Sequence, residues 1–262
     1  MSDVHEIHFI NLVFFVSLFL LPAIVLRWRG ISLAGDLLLS VGRMTLQLVF
    51  MGLYLQVLFE KNSLLLTSLW LFIMIFIANI TILKSAGLKR RFLFFSTGAG
   101  LLSSVFIVTL GLLLTVGVTP WYDARYLIPM VGMTLGNSLQ GNVIALERFY
   151  SSLQNDRDIY EMSLFNGASR FQALTPFVNQ SLSSAIAPSI AGMMTMGLVF
   201  LPGMMTGQIL GGTIPIEAIK YQLVIMAAIF LTLFFSVLFN LVVAPFVTIT
   251  PYGMLREEIF RK

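Results

Sequence analysis

An all-α polytopic membrane protein with about seven transmembrane helices is the fold class this sequence predicts. Three observations carry the prediction. Of 262 residues, 58% are apolar and only 11% are charged, too few ionisable side chains to cover a water-soluble surface. Mean hydropathy is +0.92, which places the chain among membrane proteins. Apolar runs of about 20 residues, the length that crosses a hydrocarbon core, recur along it at roughly 7–26, 37–59, 64–83, 92–116, 126–146, 184–201 and 218–247. The last is long enough to tilt, kink at Pro245 or extend past the bilayer.

Charge orients the spans. With the N-terminus outside and the C-terminus cytoplasmic, thirteen basic residues fall inside: Arg27, Arg29, Arg43, Lys84, Lys89, Arg90, Arg91, Arg148, Arg157, Arg170, Arg256, Arg261 and Lys262. Lys61, Arg125 and Lys220 alone fall outside. This matches the positive-inside bias, so the excess of +4 reads as topology rather than as a nucleic-acid footprint. The first ten residues hold Asp3 and Glu6 but no Lys or Arg, so the first span reads as a retained helix rather than a cleaved signal. No low-complexity tract or internal repeat appears, and one domain covering 1–262 is expected. The longest connection is 147–183, with seven charged side chains, on the cytoplasmic side.

Several chemistries are excluded. The chain has no cysteine, hence no disulfide, thiolate metal site or Cys nucleophile. Its two histidines, His5 and His8, sit at the N-terminal end, where no Ser/His/Asp set can form and solvation is the simpler reading. No lysine follows a glycine, so a P-loop is missing. Paired carboxylates within the spans are missing too, which argues against a proton relay. The chain is not expected to be an enzyme.

Polar groups inside spans are costly and mark faces that look inward. Asp36, Ser40, Arg43 and Gln47 recur at four, three and four residues, on one helical face; Arg43 also suits snorkelling. Asn137, Ser138, Gln140 and Asn142 follow Gly132 and Gly136, and either line a path or bridge helices. Gly203, Gly207 and Gly211 fall four apart between Pro202 and Pro215, a stripe suited to close helix packing on a short or re-entrant element. Methionines gather nearby: Met193, Met194, Met196, Met204 and Met205, with Met130 and Met133 in the preceding span. Thioethers bind soft cations, yet methionine is also a pliable filler, and with no Cys or His in the membrane region to complete a metal site the filler reading leads. The metal question stays open. Glu217 and Lys220 form an i, i+3 pair of little energetic weight.

Within 147–183, the stretch Glu161-Met-Ser-Leu-Phe-Asn-Gly167-Ala168-Ser169 resembles the coupling-helix motif of ATP-binding-cassette permeases. There, a short helix docks into a cleft of the ATPase. Leu164 and Phe165 suit an apolar socket, Gly167 suits a close turn, and Glu161 offers an anion. An ordinary amphipathic surface helix with a solvated Glu fits the same spacing.

A wider set of blocks is more specific. Val41-Gly42-Arg43 with Gln47 and Gly52, Gly132-Met133 with Gly136-Asn137, Glu161 with Leu164 and Gly167-Ala168-Ser169, Leu201-Pro-Gly-Met-Met-Thr-Gly207 and Ala218-Ile-Lys-Tyr-Gln222 together resemble the Fet-type permease family. That family comprises bacterial iron-export permeases of ABC transporters and plant relatives linked to aluminium tolerance. Asn166 departs from the apolar residue expected before the glycine. The resemblance implies a multi-pass permease of the bacterial plasma or inner membrane, working as a homodimer with a separate ABC ATPase that holds ATP and Mg. No cofactor is expected on this chain, and no nucleic acid among its partners.

The resemblance also assigns residues. Glu161, Leu164, Gly167 and Ala168, with Phe165, become the cytoplasmic coupling segment within 147–183. Apart from the resemblance, the exporter reading makes Gln47, Met133, Asn137, Met194 and Met205 candidates to line the substrate path, and glycine spacing nominates Gly132, Gly136, Gly203, Gly207 and Gly211 to pack helices. Iron is the implied cargo. A nucleotide sugar, which one plant relative is associated with, is the alternative, and a non-transporting scaffold or sensor is the rival from another class.

Overall fold

The computed structural model describes residues 8–250 and 253–260. His5, Arg261 and Lys262 therefore lie outside the described residues. Among the described residues ten α-helices follow one another: α1 Phe9–Ser17, α2 Leu20–Trp28, α3 Leu33–Lys61, α4 Leu64–Ser85, α5 Arg90–Val116, α6 Ala124–Asn155, α7 Arg157–Phe165, α8 Arg170–Thr195, α9 Gly203–Leu210 and α10 Pro215–Thr248. The chain divides into two units, 1–62 with 210–212, and 63–209 with 213–262.

The first unit is built from α1 to α3, with α2 packed on α3. The expected single span over 7–26 is interrupted at Leu18 and Phe19. Pro22 explains the break: it has no N–H to give the Leu18 carbonyl, and its ring would crowd that oxygen. α3 carries Asp36, Ser40, Arg43 and Gln47 on one face and ends at Asn62, whose φ of 35° stops the helix.

In the second unit α10 packs along α5, α6 and α8, while α6 also lies against α4 and α8. Helices in lipid gain little from hydrophobicity when they meet, so close backbone approach and hydrogen bonds must hold them. Both devices are present. A Cβ on Gly141 would collide with Leu233, and one on Gly100 with Asn240 Oδ1 and Phe239. Buried polar groups then bridge the same helices: Asn142 Nδ2 donates to Ser236 Oγ at 2.8 Å, and Asn240 Nδ2 to Asn142 Oδ1 at 2.6 Å. Asn79 Nδ2 donates to the Phe94 carbonyl at 2.8 Å, joining α4 to α5. Part of the fifth span's polar set thus bridges helices.

Among the described residues five helical stretches are long and apolar enough to span a bilayer: Phe9–Trp28, Leu33–Lys61, Leu64–Ser85, Arg90–Val116 and Pro215–Thr248. They coincide with five of the seven expected runs. The other two correspond to α6 and α8, which are long but more polar. α6 has 32 residues, about 48 Å of helix, more than the ~30 Å hydrocarbon core requires. Half-enclosed by its neighbours, it tolerates Asn137, Gln140 and Asn142 because little of it needs to be apolar.

The stretch 147–183 is not an extended connection. α6 runs on to Asn155 and α8 begins at Arg170, fourteen residues ahead of the expected start at 184. Hydropathy hid this, because Gln172, Thr175, Asn179 and Gln180 interrupt the apolar pattern without interrupting the helix. The helical stripe is carried by Ala173, Leu174, Phe177, Ser181 and Ala185, all buried. A capping box starts it: Ser169 Oγ accepts from Gln172 N at 3.3 Å while Ser169 N donates to Gln172 Oε1 at 2.9 Å.

Contacts of the C-terminal tail gather one end of this unit. Lys89 N donates to the Ile259 carbonyl at 2.7 Å and Arg157 Nη2 meets Met254 Sδ at 3.6 Å. The α4–α5 turn, α7 and the tail therefore meet, bringing Lys89, Arg90, Arg157 and Arg256 to the same end.

Candidate functional site

A cavity of about 460 Å³ opens between α6, α8, α9 and α10. α6 contributes Met133, Asn137 and Gln140, α8 contributes Pro188, Ser189 and Met193, and α10 contributes Gln222 and Met226. Met196, Phe200 and Pro202 come from the α8–α9 link, and Met204 from α9. Pro188 has no N–H for the Ser184 carbonyl, so the helical ladder of α8 is interrupted where it meets the cavity. None of the described lining side chains carries a charge. Asn137 Nδ2 is taken up by the Met133 carbonyl at 2.9 Å. Gln222 is only 6% exposed, and its Oε1 has no hydrogen-bond partner among the described residues. A buried amide oxygen left this way costs free energy.

The sequence-derived path residues divide. Met133 and Asn137 line the cavity. Met205 is buried beside it without lining it, Met194 is 77% exposed and off it, and Gln47 belongs to the first unit on α3. Gln222 and Met226 were not among the path candidates; the available signal was Gln222, an amide in a mainly apolar final span that closes the Ala218-Ile-Lys-Tyr-Gln222 block.

The stretch between Pro202 and Pro215 does hold a short helix, α9, whose Thr206 N donates to the Pro202 carbonyl at 3.0 Å. Its glycines do not pack within the chain. A Cβ on Gly203, Gly207 or Gly136 would meet nothing within 4 Å, and Gly211 lies in the turn past the helix end. Gly132 does pack, with Met74 Cε 3.3 Å from its Cβ position. The tightest approaches belong instead to Gly100 and Gly141, which stand in the small-residue spacings Ser96, Gly100, Ser104 and Gly141, Ala145, not singled out by the sequence reading.

α7 carries two apolar faces. Tyr160, 2% exposed, packs edge-on against Phe177, and Leu164 packs inward on the same core. Burial pushes the Tyr160 phenol above its ordinary pKa, with Arg170 pulling it down and Glu161 raising it. On the other face Ile159, Met162 and Phe165 stand three residues apart and exposed, Phe165 by 89%. Phe165 is thus presented outward while Leu164 is held inside. The Glu161 carboxylate accepts from Arg157 Nε at 2.6 Å, one turn back on the same helix. Gly167 ends α7 with φ +87°; its N–H donates to the Leu164 carbonyl at 3.0 Å and that of Ala168 to the Ser163 carbonyl at 3.1 Å. This is a Schellman closure, so glycine is required by the backbone rather than by a neighbour. Ile159 and Met162 were not singled out by sequence, although their i, i+3 spacing with Phe165 was legible.

A family model described as an uncharacterised protein family, UPF0014, matches residues 9–246. The chain belongs to the UPF0014 family. A UPF0014 membrane protein of the cyanobacterium Synechocystis, slr1647, is 36% identical over 210 residues, covering 79% of this chain and 81% of that one. The protein ALUMINUM SENSITIVE 3 of Arabidopsis thaliana is 33% identical over 211 residues, 79% of this chain and 75% of the relative. FetB of Escherichia coli, named a probable iron export permease protein, is 27% identical over 226 residues, 84% of each chain. No solved structure matches. This UPF0014 protein is accordingly a multi-pass, all-α membrane protein of a family that includes a permease.

Proposed function

We propose that this chain is the permease subunit of an ATP-driven ABC exporter, energised by a separate ATPase chain and moving iron. The carrying observation is α7: a nine-residue helix, fixed on its inner face by Tyr160 and Leu164, that leaves Ile159, Met162 and Phe165 exposed. An apolar triad on a short, firmly capped helix is what a cleft in a soluble partner recognises. Glu161, Gly167 and Ala168 match the coupling segment of the permeases that the sequence resembles. Iron is proposed because the FetB relative carries that description. Each chain supplies one α7 and an ATPase dimer presents two clefts, so the working unit is a homodimer.

In this reading α6 links α7 to the cavity. Asn137 lines the cavity and Asn155 ends α6 just before α7; eighteen residues of helix separate them, about 27 Å. Movement of α7 by an ATPase closing on ATP is transmitted along α6 and α8, the two helices that flank it and wall the cavity. The uncharged lining gives no partner to the phosphates of a nucleotide sugar, which places that alternative second.

Copurification tests the reading. The wild-type chain should carry an ATPase subunit and stimulate its turnover, whereas Gly167→Arg should lose both, because an arginine cannot adopt φ +87° cheaply and projects into the docking face. Vesicles holding the complex should then move iron with ATP and leave a sugar nucleotide behind. Absence of any ATPase, or an unaffected Gly167→Arg variant, overturns it.

A further inference from the structure

We propose that the cavity between α6, α8, α9 and α10 is a binding site for a soft, low-charge cation of the Cu(I)/Ag(I) class, held by methionine thioethers. The inference rests on the reading of this cavity as part of the transport route, and concerns what it selects. Five methionines from five segments converge there: Met133, Met193, Met196, Met204 and Met226. A methionine that merely fills a gap ends up buried, as Met130 and Met205 are, at 3% and 9% exposed. The five on the cavity are all partly exposed, so their side chains border open space rather than plug it.

The donor set decides the class of guest. Thioether sulfur is soft and neutral, and prefers a polarisable monovalent ion. A hard trivalent ion such as Fe(III) would shed its water here without one anionic ligand in return. Among the described residues no three His, Asp or Glu side chains come together elsewhere to offer a harder site. The orphaned Gln222 Oε1, buried against the same cavity, is an independent sign that a donor awaits an acceptor of electron density. Where the cargo is iron, the same donors favour its reduced, softer Fe(II) state over Fe(III).

Silver is the probe of choice, because Ag(I) is redox-inert and needs no reductant. The full chain in lipid nanodiscs is titrated with Ag(I), with Fe(III) citrate as the hard-ion comparison, and the metal's ligand shell is read by X-ray absorption. The expected result is one tightly held Ag(I) per chain with a sulfur shell, weakened at least tenfold in a Met193→Leu, Met226→Leu double variant. Met204→Leu, on the short α9, spares the long helices and should weaken binding at least threefold if the double variant does not fold. An unchanged affinity in the folded variants, a shell without sulfur, or Fe(III) bound as tightly overturns the proposal. ATPase association is scored separately: its survival without Ag(I) binding sinks the cation site alone, and Ag(I) binding without an ATPase sinks the transporter reading alone.

Discussion

Glycine substitutions separate two kinds of position at the residue scale. Replacing a helical glycine by alanine gains up to about 1 kcal/mol of propensity, whereas overpacking costs about 1–3 kcal/mol. At Gly100 the new methyl would strike Asn240 Oδ1, whose amide is fixed by its bond to Asn142, so the cost wins. Gly136 faces open space and the gain wins. Thermal unfolding in detergent should show Gly100→Ala destabilised and Gly136→Ala unchanged or stabilised; a loss at Gly136 would reveal that its face meets a second molecule. Asn142→Leu deprives both Ser236 and Asn240 of a partner and should cost about 1–2 kcal/mol by the same measurement. Tyr160 Oη has no hydrogen-bond partner among the described residues, so Tyr160→Phe should leave the unfolding temperature level or higher. Sequence could nominate Asn142 as an intramembrane amide, but not its partners, which lie more than ninety positions away.

Elements were legible where apolarity and helix coincide. The second to fourth and the last of the expected runs match α3, α4, α5 and α10 within a few residues. They failed to coincide in α8, where polar residues on the outer face masked a helix that its Ser169 capping box announces. Ser169→Ala should cost about 1 kcal/mol through loss of that cap, seen as a lowered unfolding temperature and a faster proteolytic nick between α7 and α8. The division of labour on α7 was invisible for another reason: spacing places Leu164 and Phe165 side by side, and only tertiary packing tells that one packs on the core and the other faces out. Phe165→Asp should therefore abolish ATPase stimulation with little loss of stability, while Leu164→Asp should unfold the end of the bundle. Equal effects on both would contradict the two-faced helix.

At the scale of the whole molecule, the tail joins the α4–α5 turn and α7 at one end, where Lys89, Arg90, Arg157 and Arg256 also lie. The positive-inside bias then assigns that end to the cytoplasm and the starts of α6 and α10, with Arg125 and Lys220, to the outside. The chain has no native cysteine, so single cysteines report cleanly: in intact cells Lys220→Cys should react with an impermeant maleimide and Ile159→Cys should not. Composition and charge were enough to read a multi-pass membrane protein and to propose its orientation. They could not reveal the cavity, because its walls are drawn from α6, α8, α9 and α10, nearly a hundred residues of chain brought together only by packing. The claim on which function depends is that α7 is gripped by an ATPase. A photo-crosslinker placed at position 165 tests it most directly: the expected product is a covalent adduct with an ABC ATPase subunit that is lost with Gly167→Arg, and a crosslinker that captures only lipid or another copy of this chain would contradict it.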